Sequence, residues 1–239
     1  ATTINVLSLP LVSFSVLGDH CVNGGVIILT EGLPIGGGYS GMGITTSPTF
    51  DPLATGTGDF TLSYTVDNGT CTNSATSVIR VLAAPVVSLA TPSPFCLGDG
   101  SVTLNGGLPV GGVYSGTNVA DPVFDPISIG THTVTYSFDD GSCTGSATSD
   151  IVVNALPTVS IDGVADICEN VSPVNLTGSP LLGTFTGVGI VGSSFDPSVA
   201  GVGSHVVTYT FADGNGCLGS AATTINVLSL PLVSFSVLG

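Results

Sequence analysis

"PLVSFSVLGDHC" (Pro10–Cys21), "PVVSLATPSPFC" (Pro85–Cys96) and "PTVSIDGVADIC" (Pro157–Cys168) are one pattern written three times, and "PLVSFSVLG" begins it again at Pro231. The four prolines recur at intervals of roughly 74 residues, a period that marks tandem units and governs every local assignment. Each unit repeats the same landmarks in order. A strand-like run follows the first cysteine ("VIILTEG", "SVTLNGG", "PVNLTGS"), then "GGYSG", "GVYSG" or "GTFTG", then "FDP" at Phe50, Phe124 and Phe195. A glycine-rich bend leads into "FTLSYTV", "HTVTYSF" or "HVVTYTF", then a turn, the second cysteine and a closing run into "VIRV", "DIVV" or "TINV".

These runs alternate apolar with Thr or Ser at period two and are punctuated by Gly and Pro, which predicts short strands and tight turns. Phe60, Leu62 and Tyr64 fall on one face, Thr61, Ser63 and Thr65 on the other, as in a sheet with one face on a core. Asn68-Gly69, Asp140-Gly141 and Asp213-Gly214 supply residues that tolerate positive φ between the last two runs, so each unit ends in an antiparallel hairpin. Six or seven strands in about 73 residues make a small β-sandwich. No run has a helical period. The expected fold is all-β, with three antiparallel sandwiches end to end. Residues 10–84, 85–156 and 157–230 are the repeats, 1–9 the last strand of a preceding repeat, and 231–239 the first strand of a following one.

Composition narrows the function. One Lys or Arg (Arg80) against 16 Asp and Glu gives a net charge of -15, unsuited to nucleic acid or anionic lipid. Without lysine, Lys-Asn isopeptide cross-links are impossible, and trypsin-like proteases have a single target. Six cysteines, no Trp and no C-x-x-C fit an exported chain with paired thiols. The opening "ATTINVLSLPLVSFSVLG" (1–18) recurs at 222–239, so it reads as a domain junction, not as a cleaved signal or membrane anchor. The two copies imply that the block starting at Ala1 starts again at Ala222, as one unit of a longer array.

The order Cys, "VTL", "GG-YSG", "FDP", "TYT", "GC" resembles the immunoglobulin-like (Ig-like) repeats found in tandem in very long secreted and cell-surface proteins of gliding and biofilm-forming bacteria. It covers nearly the whole chain. The resemblance implies an Ig-like sandwich, export, and a structural or adhesive role as a fibre, stalk or filament segment, and it brings no catalytic residues. The implied partners are neighbouring repeats of the same chain, with lateral or head-to-tail self-assembly. A module that binds carbohydrate or protein through its loops is the alternative. Phe185 in place of Tyr39 and Tyr114 suggests that the "YSG" hydroxyl is dispensable.

Cys21 and Cys71, Cys96 and Cys143, and Cys168 and Cys217 lie at nearly equal spacings, so pairing within a repeat is the simplest connectivity. In an Ig layout, however, those positions lie at opposite ends of a sandwich, which leaves pairing between neighbouring repeats open. Either way all six are expected to be oxidised. The acidic residues of "FDP" (Asp51, Asp125, Asp196) and of the hairpin turns (Asp67, Asp140, Asp213) are weak candidates for Ca²⁺ against the plainer reading as turn formers. Gly36 to Gly41 spell G-x-G-x-x-G, but without a following helix they read as a turn. His132 and His205 occupy the place of Phe60, hence a packing position. His20 has no companion histidines, and Ser40 and Ser115 have no positioned base. No cofactor and no enzymatic activity are expected. Asn68, Asn170 and Asn175 fit the N-glycan acceptor pattern. The junctions "VLAAP", "VNALP" and "VLSLP" are short and apolar, from which a stiff rod of about 110 Å is expected at about 3.3 Å per strand residue.

Overall fold

The computed structural model describes residues 3–233. The chain is all-β, built as tandem Ig-like sandwiches. It divides into two compact units, one of residues 1–90, 105–115 and 135–149, the other of 91–104, 116–134 and 150–239. Each unit therefore holds one outer repeat and part of the middle one.

The first repeat contains β1 (Ser13–Phe14), β2 (Asp19–Cys21), β3 (Ile27–Ile28), β4 (Gly32–Leu33), β5 (Gly38–Ser40), β6 (Ile44–Thr46), β7 (Thr49–Phe50), helix α1 (Pro52–Thr55), β8 (Gly58–Asp67) and β9 (Thr72–Leu82). One sheet has the order β2-β9-β8-β5, with β2 parallel to β9 and the rest antiparallel. Facing it are β3-β7-β6 and the short pair β1-β4. The alternation along β8 and β9 turns Leu62, Tyr64, Ile79 and Val81 inward to meet Leu17, Leu29, Tyr39 and Phe50. The third repeat copies this plan. Ile167–Cys168 runs parallel to Leu218–Leu228, which pairs with Gly203–Ala212, and Phe185, Phe195, Val207, Tyr209, Ile225 and Val227 fill the core.

One tyrosine per repeat anchors the loop after β4. The Tyr64 hydroxyl donates to Pro34 O at 2.6 Å and accepts from Gly37 N at 2.7 Å. Tyr136 does the same with Pro109 O and Gly112 N, and Tyr209 with Pro180 O and Gly183 N. The ring lies flat on the backbone of Gly32, where a Cβ would come within 2.6 Å of it. "GLPIGG" and "GLPVGG" are thus glycine-rich because a tyrosine ring occupies the space of their side chains. The "YSG" hydroxyls also have work: Tyr39 accepts from Gly32 N at 2.9 Å and Tyr114 from Gly107 N at 2.8 Å. Phe185 keeps only the ring contact, 4.5 Å from Tyr209.

Some expectations are corrected. The described residues include two single-turn helices, Pro52–Thr55 and Pro197–Ala200. In each the Asp of "FDP" is the N-cap, accepting from the N–H two residues on, and the proline sits where no N–H is needed. The middle repeat has no helix there; Ile127 N instead donates to Asp125 O at 2.9 Å. The described residues form nine strands per repeat, not six or seven, because the short edge segments count. In the third hairpin the positive φ falls on Gly216 (87°) rather than Gly214, since that loop holds one more residue. Residues 3–9, read from sequence as the last strand of a preceding repeat, are exposed and without a strand partner among the described residues. The first strand expected at 231–239 lies mostly outside the described residues.

Candidate functional site: cystines between repeats

The cysteine positions follow from one feature of the sheet. Because β2 runs parallel to the end of β9, Cys21 sits beside Leu82, where the repeat ends. Cys71 immediately precedes Thr72, where β9 starts. Ten residue steps of about 3.3 Å put the two ends of β9 roughly 33 Å apart. A disulfide tolerates a Cα separation of no more than about 7 Å. Cys96 beside Asn154 and Cys168 beside Leu228 repeat the arrangement, with Cys143 and Cys217 at the far ends of those strands.

Pairing within a repeat is therefore excluded, and the bonds join neighbours. Cys21 is bonded to Cys143 and Cys96 to Cys217, at sequence separations of 122 and 121. The first cysteine of one repeat takes the second cysteine of the next. Cys71 and Cys168 carry free thiols, which corrects the expectation that all six are oxidised within this chain.

The bond is seated in a built contact. Asn23, two residues past Cys21, donates from Nδ2 to Thr144 O at 2.9 Å, and Ser142 O lies 3.2 Å from the Cys21 sulfur. The hairpin loop that presents Cys143 is held by Asp140, whose Oδ1 accepts from Ser142 N and Cys143 N, both at 2.9 Å. Its carboxylate is held below the usual aspartate range by these N–H groups, Cys143 first and Ser142 next. Asn68 builds the same loop around Cys71, and Asp213 around Cys217. The bonded second cysteines are buried, Cys143 at 2% exposure and Cys217 at 0%, whereas Cys71 is only half-buried. Sequence reading missed Asn23 and the capping role of Asn68; their only signal is a fixed distance from a cysteine.

The six acidic candidates are spread over caps and turns. Asp51 and Asp196 cap helices, and Asp196 is lowered by its bond from the Ser198 hydroxyl. Asp125 accepts from Ser101 Oγ at 2.5 Å. Asp67 accepts from Gly69 N at 2.8 Å, which makes its counterpart Asp139, not Asp140. Among the described residues no three His, Cys, Asp or Glu side chains form a group that could hold a metal ion. His132 and His205 pack on Phe124 and Phe195, each with Nε2 at 2.8 Å from a backbone carbonyl (Ser128 and Gly201), the packing role expected of them. His20 lies in β2, and Ser40 in β5. Among the described residues no helix is long and apolar enough to cross a membrane.

No protein-family model and no curated protein matches the chain. Among solved structures it is similar to the I-band fragment I67–I69 of titin, at 12% identity over 90% of this chain and 96% of that one, TM-score 0.33. A Ca²⁺-stabilized adhesin that helps an Antarctic bacterium reach out and bind ice is 14% identical over 89% of this chain and 72% of that one, TM-score 0.33. The insect immune protein hemolin is 11% identical over 92% and 76%, TM-score 0.28. At such scores the Ig-like assignment stands on the sheet pairing alone.

Proposed function

We propose that the chain is a structural segment of a long extracellular array of Ig-like repeats, a fibre or stalk at a cell surface, in which each repeat is covalently locked to the next. The observation that carries this reading is the direction of the cystines, from one repeat into its neighbour. A disulfide that only stabilised a sandwich would close within it; one that joins two sandwiches limits how far the chain can extend when a single domain opens under load. Such bonds persist in oxidising surroundings outside the cytosol.

The lock has a measurable consequence. Cys21 and Cys217 stand near opposite ends of the sequence, but with both bonds intact the shortest covalent path between them is the single segment from Cys96 to Cys143. At about 3.5 Å per extended residue the fully unfolded stretch is limited to roughly 160 Å when oxidised and reaches roughly 690 Å when reduced. Single-molecule extension with and without reductant tests this. A gain of roughly 500 Å on reduction is expected from the same contour length per residue. Equal extension in both conditions would remove the basis for a load-bearing role.

A further inference from the structure

Two cysteines are left over, and they are not a random pair. Cys168 is the first cysteine of its repeat, like the bonded Cys21 and Cys96; Cys71 is the second cysteine of its repeat, like the bonded Cys143 and Cys217. We propose that Cys168 and Cys71 are the two halves of a third link of the same kind, formed between adjoining copies of this chain, so that the cystine ladder runs on from block to block. This rests on the reading of the chain as part of a tandem array.

Three independent features support it. First, register: when the next block starts at Ala222, its Cys71 stands at position 292, a sequence separation from Cys168 within a few positions of the 122 and 121 of the two bonds observed. Second, the receiving loop: Asn68 Oδ1 accepts from Cys71 N at 2.9 Å as Asp140 does from Cys143 N, so the loop that presents a bonding cysteine is already formed at Cys71. Its bonded counterparts Cys143 and Cys217 are buried, whereas Cys71 is only half-buried. Third, the donor side: "CVN" at Cys21–Asn23 recurs as "CEN" at Cys168–Asn170. Asn23 grips the carbonyl of the residue after its partner cysteine. Asn170 stands ready to do the same to Thr72 of the next copy.

The chemistry is a two-electron oxidation. Two thiols lose two protons and two electrons to a disulfide oxidant, which leaves as two thiols, and one sulfur–sulfur bond replaces another.

The test is a tandem chain, residues 1–221 followed by 1–239, which reproduces the junction letter for letter because 222–239 repeats 1–18. It is folded in a glutathione redox buffer, denatured in a thiol-blocking reagent and counted. The single chain is expected to show two free thiols, and the tandem chain also two, with a non-reducing digest joining the peptides of Cys168 and Cys71. Four free thiols in the tandem chain, or a Cys168–Cys71 bond in the single chain, would overturn the proposal. Cys168→Ser in the first block reverses the sign: the count rises from two to three if the link exists and falls from four to three if it does not. The Cys21–Cys143 and Cys96–Cys217 peptides in the same digest confirm that the variant folds. A failed thiol count with a normal extension gain on reduction leaves the load-bearing reading intact, so the two fail separately.

Discussion

Arg80 is the only Lys or Arg in the chain, and one tryptic cut after it divides residues 1–80 from 81–239. In the folded protein that bond is protected. Arg80 lies in β9, paired with Asp59 of β8 on one side and Asp19 of β2 on the other. Its ion pair with Asp59, 3.8 Å apart and exposed, adds little. Cleavage thus requires denaturant, with Cys71 and Cys168 blocked first so that their thiolates do not shuffle the disulfides. After the cut, Cys21–Cys143 spans the break while Cys96–Cys217 lies wholly in the larger piece. The two fragments, about a third and two thirds of 23.5 kDa, are expected to migrate together until reductant is added. If bonds closed within repeats, Cys21 and Cys71 would both lie in 1–80 and the fragments would part without reduction. Stability cannot replace this assay. Loop-closure entropy gives about 5 kcal/mol for a loop of roughly 120 residues and about 4 kcal/mol for one of roughly 50, too close to separate. Separation of the fragments before reduction would refute the connectivity and, with it, the ladder.

Three other outcomes follow from the geometry. Tyr64→Phe strands Pro34 O and Gly37 N, partly buried, so it is expected to cost about 1–3 kcal/mol in chemical denaturation of the first repeat; a loss below a few tenths would show that the loop does not need the clamp. Leu182 holds φ 74° with its side chain fully exposed, where Gly36 and Gly111 stand in the other repeats; Leu182→Gly removes about 1–2 kcal/mol of left-handed strain against an entropic cost of about 0.5–1 kcal/mol, so thermal stability is expected to hold or rise, and a fall would refute the strain. Asp140 has a depressed pKa, so its contribution is present above the ordinary aspartate range and is lost as pH falls through the folded value. Asp140→Asn keeps the acceptor that Asn68 already provides at the equivalent loop and should flatten the acid limb of a stability–pH profile; an unchanged limb would place the sensitivity elsewhere.

The period, the hairpins and the inward face of β8 were legible because they depend on neighbours in sequence: alternation, Gly at turns, a fixed repeat length. The cystine pattern was not. It depends on β2 lying parallel to the end of β9, a short pairing between segments far apart in sequence that leaves no periodic trace. With the two cysteines of each repeat at nearly the same spacing in all three, pairing within and between repeats look alike on paper, and only the length of β9 separates them. The tyrosine clamp was hidden for a related reason. Its partners are backbone atoms of a loop, and what marks it is the absence of side chains at Gly32 and Gly37, where a Cβ would meet the Tyr64 ring at 2.6 Å. The cap role of Asp51 was concealed by a helix too short to carry a period.

The chain also contains its own control for what makes a strand. "TINVLSL" occurs at 3–9 and again at 224–230. In the second copy, Ile225 and Val227 face the core of repeat three, with Ile225 at 0% exposure, in a strand paired along its length with Gly203–Ala212. In the first copy the same letters form coil, and Ile4 is 84% exposed. Propensity is identical and so cannot be the cause; at most it spans about 1 kcal/mol per residue. Ordering each backbone residue costs about 1–2 kcal/mol, and burying an Ile or Val side chain returns about 1.5–3 kcal/mol only where a facing sheet exists. Without the Gly203–Ala212 hairpin partner neither the ladder nor the burial is available, and the entropy wins. The strand is thus a property of the pair and not of the seven letters.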